Sequence, residues 1–401
     1  MTGLYLPVNH LLLTYKTKKF VMTKNQFKWF GFPKAFAIIV LVAGFLASCQ
    51  KDINSPGPVA DETNNEQVAV DQARALEQTA PADADKQAEA LGLKDFQNRN
   101  GSNQNIVQIA VSNPNFSTLV AAVLKTGLAG ALSDPSANLT VFAPTNAAFA
   151  QLPAPFNNAS NINGISNPSQ VDFLRNILFY HVIGAEVFSN QISNGRSSAV
   201  TIKPAGSSND NTVYFSKTFN LIRVNGQSTV ILPNLNANNG VIHVIDKVLL
   251  FPTNTIAGIA IPNTNLSALV AALVKTDLAG VFTGSGDFTV FAPTDAAFAQ
   301  LPAPFNNAAN INAISNPAQI AALANILKYH VVSSRNFTWD LGILRRITTL
   351  ADGSDNKITT ILGFNTGWVK GNDNNSFASA NPADILATNG VIHVINKVLM
   401  P

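Results

Sequence analysis

Thiol chemistry is almost absent: Cys49 is the one cysteine in a chain of 401 residues. Intrachain disulfides and cysteine-rich metal sites are therefore excluded. Charge is scarce too, at 12% of residues against 46% hydrophobic. That balance excludes wholesale disorder and suits packed globular domains. The formal charge of +3 suggests nucleic acid, but the excess is local. Residues 1–49 hold six of the 26 bases (Lys16, Lys18, Lys19, Lys24, Lys28, Lys34) and no acid, so beyond them 20 bases face 23 acids. No basic stripe remains to neutralise phosphates. Catalytic signatures are missing as well. There is no G-x-S-x-G elbow, no Ser-x-x-Lys in a plausible setting and no phosphate-cradling glycine loop. No two histidines stand at metal-ligand spacing, and neither a metal nor a cofactor is expected.

What is present begins with a targeting segment. Met22 opens "MTKNQFKWFGFPKAFAIIVLVAGFLASC", with three lysines, an apolar run Ala35–Leu46 and then small residues. The run is short for a membrane span. "LASC" (Leu46–Cys49) resembles the lipobox of bacterial lipoproteins, in which cleavage leaves cysteine first and lipid joins its sulfur. The resemblance implies a lipidated Cys49 and an outer-membrane anchor. Counted from Met22 the signal has an ordinary length, so Met1–Val21 reads as an upstream extension or a misassigned start. Gln50–Lys51–Asp52 looks like a short export tag for the cell surface; a periplasm-facing anchor is the alternative. Residues 50–104 are rich in Ala, Asp, Glu, Gln and Asn and nearly free of aromatics. They read as a disordered polar tether.

The remainder is a duplication. Thr140–Val171 and Thr289–Ile320 agree at 27 of 32 positions. Phe116–Gly130 aligns with Leu266–Gly280, and Gly240–Leu249 with Gly390–Leu399. The expected domains are 105–251 and 255–401, and the short proline-containing join between them predicts a restrained pair. Within a copy, Leu119, Val120, Val123, Leu124 and Leu128 recur at helical spacing. "LTVFAP" predicts a strand. "NAAFAQLP" predicts a helix capped by Thr145 or Asn146 and ended by Pro153. Asn167-Pro168 starts a helix with Val171, Leu174, Ile177 and Leu178 on one stripe. "VTIK", "TVYF", "LIRV" and "TVIL" predict strands, and the Asn-Gly before "VIHVI" predicts a hairpin. Helices followed by strands give an α+β domain with a largely antiparallel sheet.

"TVFAPTNAAF" and "TVFAPTDAAF" resemble the first signature block of the fasciclin-type domain, and "NGVIHVIDKVL" and "NGVIHVINKVL" resemble its second. "FYHVI" and "KYHVV" match the Tyr-His element between them. The resemblance implies a wedge-like β-sandwich of mostly antiparallel strands with helices packed around it, duplicated in tandem. It also implies an adhesive or binding role toward extracellular protein or polysaccharide, without catalysis. Tyr180 with His181 and Tyr329 with His330 would then be adhesive contacts. Asn146 departs from the usual Asp, present at Asp295, as Asn396 departs from Asp246. That weakens any catalytic or metal role for those carboxylates.

His243 and His393 lie on strands apolar on both faces, which predicts buried neutral imidazoles. The copies diverge most between Gly184–Asn239 and Ser333–Asn389. Trp339 and Trp368 lie there, as candidate stacking or anchoring contacts or as core fillers. The expected function is a lipid-anchored envelope adhesin. An envelope hydrolase or metal-dependent enzyme and a structural part of an envelope assembly are the alternatives.

Overall fold

Residues 62–92, 94, 103–206, 211–218, 220–284, 286–362 and 367–401 are described by a computed structural model. The signal, Cys49 and the Gln50–Lys51–Asp52 tag lie outside the described residues. The first element corrects the tether reading. α1 (Glu62–Ala90) is a helix where the composition suggests disorder. Alanine, glutamate and glutamine are good helix formers, and the helix buries Val70, Ala73 and Ala88 against the domains that follow. Two of these three are alanines, which a reading for large apolar residues passes over.

The first domain opens with α2 (Ile106–Ser112), whose cap Asn105 and Gln108 bond reciprocally to each other's backbone. α3 (Ser117–Lys125) buries Leu119, Ala122 and Val123. Leu124, expected on the same face, is 64% exposed. β1 (Leu139–Pro144) leads through Thr145 into α4 (Asn146–Phe149), with Thr145 Oγ1 accepting from the Ala148 N–H at 3.2 Å. α5 (Pro168–Tyr180) is capped by Asn167 and buries Leu174, Ile177 and Leu178. Then come β2 (Val182–Ile183), β3 (Gly195–Val200), β4 (Thr212–Thr218), β5 (Leu221–Val224), β6 (Ser228–Ala237) and β7 (Gly240–Ile245). "TVYF", "LIRV" and "TVIL" fall on β4, β5 and β6. "VTIK" is shifted, since the strand ends at Val200 and its partner is β4. The second domain repeats the plan with α6 (Ile256–Ala260), α7 (Ser267–Lys275), β8 (Phe288–Pro293), α8 (Asp295–Phe298), α9 (Pro317–Tyr329) and β9 (Val331–Val332). Its strands continue as β10 (Ile343–Thr348), β11 (Lys357–Ile361), β12 (Gly367–Lys370), β13 (Ala378–Ala380), β14 (Ile385–Ala387) and β15 (Gly390–Ile395).

The sheet orders are β2-β1-β7-β6-β5-β4-β3 and β10-β11-β12-β13-β15-β8-β9, with β14 paired to β15. Strand pairs are antiparallel except β1 with β7 and β8 with β15, which run parallel. The two signature blocks of each copy, about a hundred residues apart, are therefore neighbouring strands. Both faces of the pair are covered. Val141, Ala143, Ile242 and Val244 join the helix-side core, and Phe142 and Ile245 join the strand-side core. The second copy divides its core in the same way.

The hairpin before β7 forms, with Ala237 opposite Gly240 and Asn238–Asn239 as its loop. Gly240 is needed for a reason other than the turn. At φ 145° its backbone presses on β1, and a Cβ there would stand 2.0 Å from the Leu139 carbonyl oxygen. Gly390 repeats this, 2.2 Å from the Phe288 carbonyl oxygen. Backbone cannot yield as a side-chain tip can, so Gly240→Ala must pry the parallel pair apart. The expected loss is roughly 3 kcal/mol or more in urea unfolding, and a loss under about 1 kcal/mol would contradict this account of the pair.

Candidate functional site

The Tyr-His corner ends α5. Tyr180 is wholly buried; its hydroxyl donates to the Thr212 carbonyl at 2.6 Å and accepts from Asn225 Nδ2 at 3.1 Å. His181 Nε2 accepts the Leu249 N–H at 2.9 Å, so Nδ1 carries the proton and donates to the Ile177 carbonyl at 2.7 Å. Tyr329 donates to the Lys357 carbonyl at 2.6 Å. His330 accepts from the Leu399 N–H at 2.8 Å and donates to the Ile326 carbonyl at 2.8 Å. All four side chains are at most 2% exposed. The expectation that they form an adhesive surface is corrected here: they tie a helix end to strands and to the segment after the last strand.

His243 and His393 are wired in the opposite sense. Nδ1 of His243 accepts the Asn234 N–H at 3.2 Å, so Nε2 donates to the Val187 carbonyl at 2.9 Å. For His393 the partners are the Asp384 N–H at 3.2 Å and the Asn336 carbonyl at 2.8 Å. Burial holds all four imidazoles neutral, and pushes His181 and His330 down to about 4 from 6.5. Among the described residues no three His, Cys, Asp or Glu side chains are grouped to hold a metal.

The Asn/Asp exchanges have a simple cause. Asn146 Oδ1 accepts from the Thr118 N–H at 2.9 Å, and Asp295 Oδ1 from the Ala268 N–H at 2.8 Å. Each side chain thus caps the neighbouring helix, α3 or α7, and not its own. Asp246 and Asn396 likewise accept from the Thr229 and Ser379 N–H groups. Only an acceptor oxygen is required, and either side chain supplies one.

The tryptophans lie near a joint between the domains. Trp339 is 4% exposed, and Trp368 is half-buried beside it in one apolar cluster. Of the two readings open for Trp339, surface contact or core filler, its burial agrees with the second. The Asn225–Gly226 turn of domain 1 presses on domain 2, where a Cβ on Gly226 would meet the Phe337 ring at 2.5 Å. Gln227 Nε2 donates to the Asp384 carbonyl at 2.8 Å. Arg196 donates to the Arg335 carbonyl at 2.7 Å and to Asn336 Oδ1 at 2.8 Å. Arg335, in turn, lies 4.3 Å over the Tyr214 ring. Arg223 is fully buried, 5.5 Å from the Trp339 ring; burial lowers its pKa, while Asp384 and Asp246 favour its charge. Asp340 of domain 2 is pushed up to about 6 by burial, against a hydrogen bond from the Phe337 N–H at 2.9 Å. The sequence reading passed over Arg223, Asp384 and Arg335. A lone arginine inside the apolar run "LIRV" was the available signal.

These titrations set an acid response. The folded pKa of His181 and His330, about 4, lies below the ordinary 6.5, so the unfolded chain takes up protons first as pH falls. Their stabilising contribution is complete above about pH 6.5 and is lost down to about pH 4, on the order of 3 kcal/mol for each. His243 and His393 act in the same sense. Asp340 opposes them, because its raised pKa favours the folded state most below its ordinary value and that contribution is lost as pH rises through about 6. Asp246, also raised by burial, opposes them in the same way, and four histidines outweigh two carboxyls. The urea midpoint should fall steadily from pH 7 to pH 4.5, and a flat or rising midpoint would show that these rings are not held neutral.

A fasciclin domain model matches residues 114–251 and 264–401. Protein sll1483 of Synechocystis is 40% identical over 147 residues, 37% of this chain and 73% of that protein. Transforming growth factor-beta-induced protein ig-h3 of Sus scrofa is 28% identical over 271 residues, 66% of this chain and 35% of that protein. The chain thus spans about a third of that animal relative's length. A solved FAS1 domain pair from the insect cell adhesion molecule fasciclin I covers 78% of this chain and 98% of that chain, at 19% identity and a TM-score of 0.34. With both signature blocks paired in each copy and the family model matching twice, the chain belongs to the fasciclin domain family and carries two such domains in tandem.

Proposed function

We propose that this is a lipid-anchored envelope protein that binds an extracellular protein or polysaccharide non-covalently, without turnover. Adhesion and the binding of extracellular partners is the role that family membership implies. The observation that carries binding over catalysis is the use made of the histidines. Each imidazole in the described residues commits both ring nitrogens to backbone groups, and burial keeps it neutral. A ring already donating and accepting within the scaffold has neither a lone pair nor a proton for a substrate. Recognition then falls to the divergent strands, where β3 and β10 end their sheets with largely exposed side chains. Two domains joined by a packed interface would present such surfaces at fixed spacing, which favours a repetitive ligand through avidity.

The anchor rests on Cys49 within "LASC". Cys49→Ser should abolish incorporation of a labelled fatty acid and shift the protein from the membrane to the soluble fraction. Protease added to intact cells should remove the domains of the wild type if the tag directs them outward. A Cys49→Ser protein that stays in the membrane would end the anchor reading. Turnover of an ester, glycoside or peptide panel by the purified protein, lost in His181→Ala while folding persists, would end the binding reading.

A further inference from the structure

Helix α5 carries two charged side chains that its twin does without. Asp172 and Arg175 stand three residues apart on its solvent side, and Arg175 Nη1 donates to Asp172 Oδ1. At the corresponding places α9 has Ala321 and Ala324. The two helices otherwise agree. Each follows an Asn cap, begins with Pro, runs for 13 residues and ends on Tyr with His as its C-cap. The fold therefore does not require the pair. An ion pair whose side chains are 37% and 63% exposed adds little stability. The bond from Arg175 Nε to the Thr126 carbonyl, at 3.2 Å, is likewise one that an alanine cannot make in domain 2.

Asp172 and Arg175 line an open groove of about 580 Å³ at the start of α5. Lys125, at the end of α3, lines it too, and its Nζ donates to the Asn163 carbonyl at 2.9 Å. Lys275 makes the same bond to the Asn312 carbonyl at 2.9 Å, so the lysine is common to both copies and the Asp-Arg pair is the addition. Ile165, Pro168 and Val171 supply the apolar part of the lining. The volume falls within the range of small-molecule sites, roughly 300–1,000 Å³.

We infer that this groove is a subsite for one uronic-acid unit of an acidic polysaccharide, held by Arg175, Lys125 and Asp172 of domain 1. The net charge asks for a single acid group, since two cations and one carboxylate leave one positive charge in excess. The donors for that group are in place. Arg175 Nη2 makes no hydrogen bond among the described residues, and Lys125 commits one of its three N–H donors. A guanidinium edge matches a carboxylate in shape as well as charge. Asp172 then selects a saccharide over an acidic peptide. Its Oδ2 has no donor among the described residues and can accept from a sugar hydroxyl, while its charge repels a run of carboxylates. The apolar lining suits the C–H face of a pyranose ring. This inference rests on the binding reading above and narrows its polysaccharide branch.

Isothermal titration of the full chain with trimers of galacturonate, glucuronate and mannuronate tests it. At least one trimer should bind, and its methyl ester and tetraglutamate should each bind at least tenfold more weakly. Arg175→Ala should weaken that trimer at least tenfold and Arg175→Lys at least threefold, with the urea midpoint unchanged, as the alanine of α9 leads one to expect. Asp172→Ala should weaken the trimer at least threefold and strengthen tetraglutamate. Lys275→Ala, in the other copy, should bind like the parent. The inference is overturned if none of the three trimers binds, if the methyl ester or tetraglutamate binds as tightly, or if Arg175→Ala binds like the parent. It is equally overturned if binding falls only together with the urea midpoint, or if Lys275→Ala weakens the trimer as much as Arg175→Ala. A chain that binds another glycan or a protein regardless of Arg175→Ala would end this subsite and leave the binding reading standing, whereas turnover of the trimer would end both.

Discussion

The parallel pairing of β1 with β7, and of β8 with β15, is the contact on which each domain is built. A parallel pair cannot be closed by a tight turn, so the chain between the two strands must travel out and return. Here that excursion contains α4, α5 and the whole antiparallel ribbon from β3 to β6. The pair sits in the middle of the sheet, covered by the helix-side core on one face and the strand-side core on the other. Its closeness is set by Gly240, whose missing side chain lets the β7 backbone lie against the Leu139 carbonyl.

Around that pair the histidines act as crosslinks between segments remote in sequence. His181 joins the end of α5 to Leu249, beyond β7, and His243 joins β7 to Val187 and to the irregular middle of β6. At Asn234 the β6 backbone has φ 61° and the β6–β7 register shifts, so its N–H would otherwise lack a strand partner. An imidazole suits such a place because one neutral ring both donates and accepts. The residues by which the family is most easily recognised are therefore mostly scaffold here. That is why reading the Tyr-His element as a surface failed, while reading His243 as a satisfied core residue agrees with its two backbone bonds.

Much of the fold could be read because its signals are local. The helical stripe on α5, the Asn-Pro start at Asn167 and the strands of "TVYF", "LIRV" and "TVIL" each depend on a few consecutive residues. What escaped is decided at a distance. "VTIK" alternates like a strand, but pairing with β4 stops at Val200. Leu124 matches the buried stripe of α3 by spacing and nevertheless faces out. α1 has the composition of a linker, and its order comes from two surfaces that meet only after both domains have folded. The joint is illegible for the same reason, since nothing near Arg223 in sequence announces Asp384 or Trp339.

The joint also explains where the copies diverged. Shared bonds fix the correspondence: Ser189 N–H donates to Asn234 as Thr338 N–H does to Asp384, so Asn190 answers to Trp339 and Glu186 to Arg335. Asn234 and Asp384 keep the same positive φ and the same acceptor task, and differ in charge. In domain 2 that charge faces Arg223 of domain 1, with Trp339 beside it. The receiving face in domain 2 carries Asp384, Trp339 and Arg335 where domain 1 carries Asn234, Asn190 and Glu186, so the two domains present different faces at the corresponding place. The copies thus differ at the joint while sharing the parallel strands and the histidine crosslinks.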